Sequence, residues 1–235
     1  MEEIKTKIIA TIGPATLEPT VFANLIASGV DYIRINTSYG DESQYDSILI
    51  NVEKTKKVRD VKVMLDIKNL SLLGYAKKNN ISIVALSFAE DTQKIDAIRS
   101  TISNAHVISK IESKEGVNNF DEILHASDGI MIARGDLAKA ETLEKVPPLQ
   151  KDLTYKTLAE GKFLIAATEM LLSMVENLEP TRAEVSDVAN AVFDNCSAVM
   201  LSEETAIGKH PVETVAMMRK IIVEAEKWKY KSGKL

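Results

Sequence analysis

Short apolar, β-branched runs recur along the chain at 7–12, 32–36, 61–67, 81–88, 106–111, 129–133, 163–167 and 198–201. Both faces of each run are apolar, as in strands of a buried parallel sheet. Between the runs the period changes to that of a helix. Residues 17–28 place Val21, Leu25 and Ile26 on one face, and 92–103 do the same with Ile95, Ile98 and Ile102. Residues 116–126 carry Val117, Phe120 and Leu124, and 211–228 carry Val215, Met218, Ile222 and Ala225 at helical spacing. Strands alternating with helices predict βα units joined by right-handed crossovers. Eight such units in 235 residues predict an α/β fold of the (β/α)8 TIM-barrel type, read as a single domain over 1–235. A doubly wound sheet is the alternative, but eight strands are many for it at this length. The third unit is tight: only 68–80 separate the third and fourth runs, with room for one short helix.

Turn signals mark the ends of units, as at Gly13-Pro14, Tyr39-Gly40, Pro147-Pro148 and His210-Pro211. No linker, repeat or low-complexity tract interrupts them.

Composition narrows the picture by exclusion. With 45% hydrophobic and 27% charged residues, the chain has an ordinary globular balance and bulk disorder is excluded. A net charge of −5 argues against a general nucleic-acid binder. A single cysteine, Cys196, allows neither an internal disulfide nor a CxxC metal site, and its place before an apolar run reads as burial. The first residues lack the apolar region of a signal peptide, and no run is long enough to span a membrane. The expected compartment is the cytosol.

In a (β/α)8 barrel the site lies at the C-terminal ends of the strands. There the runs end in Arg34-Ile-Asn36-Thr-Ser38, Asp66, Lys110-Ile-Glu112, Arg134-Gly135-Asp136, Thr168-Glu169 and Ser202-Glu203-Glu204. Lys110 and Glu112 stand two apart, so they share one side of a strand. A lysine at a strand end can serve as a point charge for a phosphate. Glu112 and Asp136 end neighbouring strands, and two hard oxygen donors there suit Mg2+ or Mn2+. Mutual salt bridges are the plainer alternative for the same charges. Backbone N–H groups around Gly135 and Asp136 can bind a carboxylate or phosphate, or Asp136 can simply cap a helix. Thr168 either bonds a substrate or ends a strand. Asn36, Ser38 and Asp66 offer oxygens for a monovalent cation. Phosphate-binding glycine loops of the GxxxxGK[ST] and GxGxxG types are absent, and His106, His125 and His210 are scattered without metal-ligand spacing.

Seven ordered segments carry a family resemblance: 6–14, Arg34-Ile-Asn-Thr-Ser-Tyr-Gly40, Ile108-Ser-Lys-Ile-Glu112, 120–124, 126–137 with Ala-Arg134-Gly-Asp136-Leu, 181–192, and Met200-Leu-Ser-Glu-Glu-Thr-Ala206. Through them the chain resembles the pyruvate kinase family over nearly its whole length. The resemblance implies a TIM barrel. It implies that Lys110 stabilises the transferring phosphoryl group, Glu112 and Asp136 hold Mg2+ or Mn2+, and Arg34 contacts phosphate. It further implies that Thr168, Ser202 and the backbone of Gly135 and Asp136 bind substrate, and that Asn36, Ser38 and Asp66 hold K+. The implied partners are phosphoenolpyruvate or pyruvate and ADP or ATP, with a homo-oligomer formed through the later helices.

The departures from the family pattern matter as much. The third run passes through Asp66-Ile-Lys-Asn69 straight into a short helix, so the inserted lid domain and the Gly-Pro-Glu-Ile-Arg stretch with its arginine are expected to be missing. The regulatory domain that follows the barrel is expected to be missing too. Thr37, Tyr39, Ala138, Glu169 and Glu203 replace residues of the family pattern, and Glu203 adds negative charge on the nucleotide side. Slow phosphoryl transfer is therefore expected, with enolpyruvate or 2-oxo-acid lyase or decarboxylase chemistry, or metabolite binding alone, as alternatives.

Overall fold

Every apolar run becomes a strand. The computed structural model describes residues 4–233. Its strands are β1 (Lys7–Thr11), β2 (Tyr32–Asn36), β3 (Lys62–Ile67), β4 (Ile83–Leu86), β5 (His106–Ile111), β6 (Gly129–Ala133), β7 (Phe163–Ala167) and β8 (Ala198–Leu201). They follow one another in chain order around a closed barrel. Each registered pair is parallel, as between β1 and β8 and between β5 and β6, so the predicted (β/α)8 barrel is the fold. Residues of β6 are buried without exception, which is why these strands read as continuous apolar runs.

The helices are α1 (Pro19–Ala27), α2 (Glu42–Thr55), α3 (Leu73–Lys78), α4 (Gln93–Thr101), α5 (Lys114–Asn118), α6 (Phe120–Ala126), α7 (Arg134–Ala140), α8 (Val146–Ala159), α9 (Arg182–Phe193), α10 (Glu203–Ala206) and α11 (Pro211–Lys231). None of them is long and apolar enough to cross a membrane. The short helix expected between β3 and β4 is α3, entered through a 3-10 turn at Leu70–Leu72. The single helix expected over 116–126 is broken. Asn119 leaves helical geometry between α5 and α6, and its amide donates to Glu90 O at 2.8 Å. Asp136 is not the cap of α7, since Ala133 holds that place.

The described residues divide into two compact units. One contains residues up to Arg34, Gly40–Lys62 and the chain from Thr168 onward; the other contains Ile35–Tyr39 and Val63–Ala167. In the first, α1 buries Phe22, Leu25 and Ile26, and α11 buries Val215, Met218, Ile222 and Ala225, the face its spacing predicts. Gly13 is required by a close approach: a Cβ there would lie 2.6 Å from Ala206 O. Asp31 accepts a bond from Ile8 N of β1 at 2.9 Å and pairs with Arg59 and Arg219. The second unit repeats this device. Asp128 accepts from Val107 N of β5 at 2.7 Å and pairs with Arg99 at 2.9 Å. In both units a carboxylate just ahead of a strand receives the amide of a neighbouring strand.

Candidate active site

The second unit concentrates buried charge at the ends of β3, β4 and β5. Asp66, Ser87, Lys110 and Glu112 are each at most 6% exposed. The Lys110 Nζ donates to Asp66 Oδ1 at 3.1 Å and to Ser87 Oγ at 2.8 Å. It lies 3.0 Å from Asp66 Oδ2 and 3.2 Å from Glu112 Oε1. Ser87 Oγ also donates to Asp66 Oδ1 at 3.1 Å. The other oxygen of Glu112 accepts from Phe88 N at 2.7 Å. Phe88 turns that amide toward the carboxylate by adopting a left-handed backbone, φ 48°, a strained state for a bulky residue.

Two carboxylates thus surround one ammonium in a place that excludes water. Burial pushes the Glu112 carboxyl above the usual carboxylate range, and the Lys110 charge only partly offsets it. A pocket that holds Lys110 by four oxygens of three residues fixes its Nζ in space without rotamer freedom. Its remaining deficit of positive charge is what a cation or the flanking chemistry would answer.

The sequence-predicted residues fall out as follows. Lys110 and Glu112 do share one side of β5. Asp66 joins them, with both carboxylate oxygens engaged by Lys110. Asn36 Oδ1 instead accepts from Ser38 N at 3.2 Å, and Ser38 is exposed. Thr37 ties this segment to β3, its Oγ1 donating to Asp66 O at 2.7 Å. Asp136 sits inside the first turn of α7 and pairs with Lys139 at 2.9 Å. Gly135 is likewise a helical residue of α7. Arg134 Nε donates to Ala167 O at 3.1 Å. Among the described residues no three His, Cys, Asp or Glu side chains gather as a ready metal cluster.

The donor chemistry nevertheless fits a hard divalent cation. Glu112 is a buried carboxylate with a net negative neighbourhood, and Asp136 is spent on an i,i+3 pair with an exposed lysine, an interaction worth about 0–1 kcal/mol. A cation taking Asp136 would sacrifice little there, while at Glu112 it would share oxygens that Lys110 and Phe88 N already engage.

The first unit holds Arg34, Thr168 and Ser202. Arg34 is buried, and its Nη1 donates to Thr11 Oγ1 at 2.9 Å. Thr168 and Glu169 both adopt left-handed backbone, φ 71° and 54°. Ser202 N donates to Glu204 Oε2 at 2.7 Å, and Leu171 N donates to Glu204 Oε1 at 3.2 Å. Glu204 is fully buried. Burial raises its carboxyl above the usual range despite those backbone donors.

Sequence reasoning assigned no role to Ser87 or Glu204. Ser87 was marked by being the one polar residue at the end of an apolar run, Val84-Ala-Leu-Ser87. Glu204 was marked only as one of three polar residues after β8, so nothing told it apart from exposed Glu203. The three histidines join neither cluster, and Cys196 is buried.

Comparison with known proteins gives the family. The model of the pyruvate kinase barrel domain matches residues 3–73 and 65–215. A pyruvate kinase of Chlamydia trachomatis serovar D is 45% identical over 186 residues, covering 76% of this chain and 38% of that relative. One of Thermococcus litoralis is 40% identical over 214 residues, covering 86% and 45%. One of Thermoplasma acidophilum is 29% identical over 315 aligned positions, covering 93% and 58%. That alignment is longer than the 235-residue chain, so this relative carries internal residues that the chain lacks. The chain spans less than half the length of the first two relatives. Most of its own length is matched by the barrel-domain model, and the chain belongs to the pyruvate kinase family.

Proposed function

We propose that this chain is a barrel domain of residues 1–235 that transfers a phosphoryl group between phosphoenolpyruvate and ADP. The observation that carries the reading is the buried Asp66–Ser87–Lys110–Glu112 cluster at the strand ends. In the forward direction the enol O–P bond breaks, a bond forms between phosphorus and a β-phosphate oxygen of ADP, and C3 of the enolate takes a proton to give pyruvate. Lys110, held by oxygens of Asp66, Ser87 and Glu112, offsets charge on the phosphoryl group as it moves, because a fixed ammonium needs no reorganisation during the step. Arg34 adds a second fixed cation for phosphate oxygens. Thr168, Ser202 and the first backbone N–H groups of α7 at Gly135 and Asp136 orient the carboxylate.

Glu112 and Asp136 would hold Mg2+ or Mn2+, which supplies Lewis-acid stabilisation of the leaving oxygen when bound. Asn36, Ser38 and Asp66 would supply oxygens to K+. The direct passage from β3 into α3, and the internal residues of the Thermoplasma relative without counterpart here, support the absence of a lid. Water exclusion is then incomplete and turnover slow. The protein acts in the cytosol and assembles as a homo-oligomer through its later helices.

A second reading has one observation in its favour. Exposed Glu203, at the start of α10, places negative charge where the family resemblance puts the nucleotide, which favours enolpyruvate or 2-oxo-acid chemistry without ADP. Product analysis of phosphoenolpyruvate, oxaloacetate and related 2-oxo acids separates the two. ATP formed in step with pyruvate supports the kinase. Decarboxylation or cleavage without ATP supports the second reading.

A further inference from the structure

Glu204 is a fully buried carboxylate to which the proposed chemistry gives no task. Its two oxygens accept from two different loop backbones. Oε1 takes Leu171 N, three residues beyond Thr168, and Oε2 takes Ser202 N at the end of β8. The first of these loops begins with two consecutive left-handed residues, Thr168 and Glu169, neither of which is glycine. Each such residue is unfavourable, and a pair persists only where the surroundings over-determine it. On its strand side the loop is fixed at Ala167 O, which accepts from Arg134 Nε at 3.1 Å. On its far side the fixed point is Leu171, which is itself buried together with Met170. Thr205, the residue after Glu204, ties the same turn to β1 by donating to Thr11 O at 2.8 Å. Glu204 therefore stands on an anchored base.

We infer that Glu204 is a positioning residue: its carboxylate clamps the loop after β7 and the end of β8, holding Thr168 and Ser202 where the substrate carboxylate is bound. The inference rests on the phosphoenolpyruvate-binding role proposed above for those two residues. It explains the residue type. Both partners are N–H donors, so the clamp must be acceptor-only on both arms, and a glutamine would oppose one of them with its own N–H. A buried donor left without an acceptor opens the loop it belongs to.

Two measurements test it. Hydrogen exchange needs no substrate. In the unmodified protein the amides of Leu171 and Ser202 should exchange as slowly as the ladder amides of β8. In Glu204→Gln the segments 168–173 and 200–204 should exchange roughly 10-fold or more faster, with β3 to β6 unchanged. Steady-state kinetics then separate positioning from simple structural damage. Glu204→Gln should raise the KM for phosphoenolpyruvate by about 10-fold and leave the KM for ADP within about twofold. A variant that merely misfolds lowers kcat through the active fraction and moves neither KM. Fast exchange of Leu171 or Ser202 in the unmodified protein overturns the clamp. So does unchanged local exchange in Glu204→Gln, or a fall in kcat alone. If the unmodified protein shows no turnover, the kinase reading fails, and the exchange result still decides whether the clamp exists.

Discussion

Lys110 is the residue on which most of the proposed chemistry and much of the local electrostatics converge. Its ammonium lies within bonding distance of both Asp66 and Glu112, at 3.0 and 3.2 Å. Removing it leaves two buried carboxylates facing each other. We expect Lys110→Met to lower the unfolding free energy by about 3–5 kcal/mol at neutral pH, because breaking a buried pair strands its partner charges. Denaturant melts measure this directly. A loss below about 1 kcal/mol would mean that water already reaches the cluster. The pairing of Lys110 with Glu112 was legible in the sequence because a two-residue spacing fixes the same side of a strand. The arrival of Asp66 and Ser87 was not. It depends on the register of β3 with β4 and of β4 with β5, Asp66 opposite Ala85 and Leu86 opposite Ser109, and a single chain does not announce its register. Asp136 was legible as a strand-end carboxylate, but its engagement with Lys139 was hidden because both lie within a helix that the sequence marked only at its start.

At the scale of elements, strands were easier to read than helices. The eight runs were legible because burial on both faces makes most of their residues apolar, with the buried polar exceptions such as Arg34, Asp66 and Lys110 few. Helices α1, α4 and α11 were legible from apolar spacing. Helices α2 and α8 were not, since their buried positions include Asn51 and Thr55, and Thr154 and Thr157, which look polar in sequence; Thr55 and Thr157 bond back to their own helix. Thr55 Oγ1, for example, donates to Asn51 O at 2.9 Å. Helix α9 shows how an element start can carry a titration. Thr181 and Glu184 form a reciprocal capping box, and Glu184 also accepts from Ser173 N at 2.6 Å and from Ser173 Oγ at 2.5 Å. Burial pushes the Glu184 carboxyl up, but these hydrogen bonds outweigh it and hold it below the usual range. A depressed carboxyl stabilises the fold above its unfolded value, near pH 4.3, and loses that contribution as pH falls through the folded value. Glu184→Gln should therefore cost roughly 1 kcal/mol at pH 7, and the deficit should shrink below about pH 4. Thermal melts of both proteins across that range test it; a deficit that grows toward low pH would contradict the assignment.

At the scale of the whole molecule, the barrel was predicted by βα alternation, and the candidate site was placed at the strand ends from the fold alone. What the alternation does not carry is how the chain associates. The proposed homo-oligomer predicts a sedimenting species heavier than 25.9 kDa at micromolar concentration. A single species of that mass at those concentrations would refute it. The central claim is that this barrel, with its buried Lys110 cluster, moves a phosphoryl group. The most direct measurement is a phosphorus NMR time course with phosphoenolpyruvate, ADP, Mg2+ and K+, run beside Lys110→Met. The account predicts a slow loss of the phosphoenolpyruvate signal matched by ATP, with the rate falling at least about 100-fold in the variant. Phosphoenolpyruvate that persists unchanged with the unmodified protein, or ATP formed equally well by Lys110→Met, would contradict it.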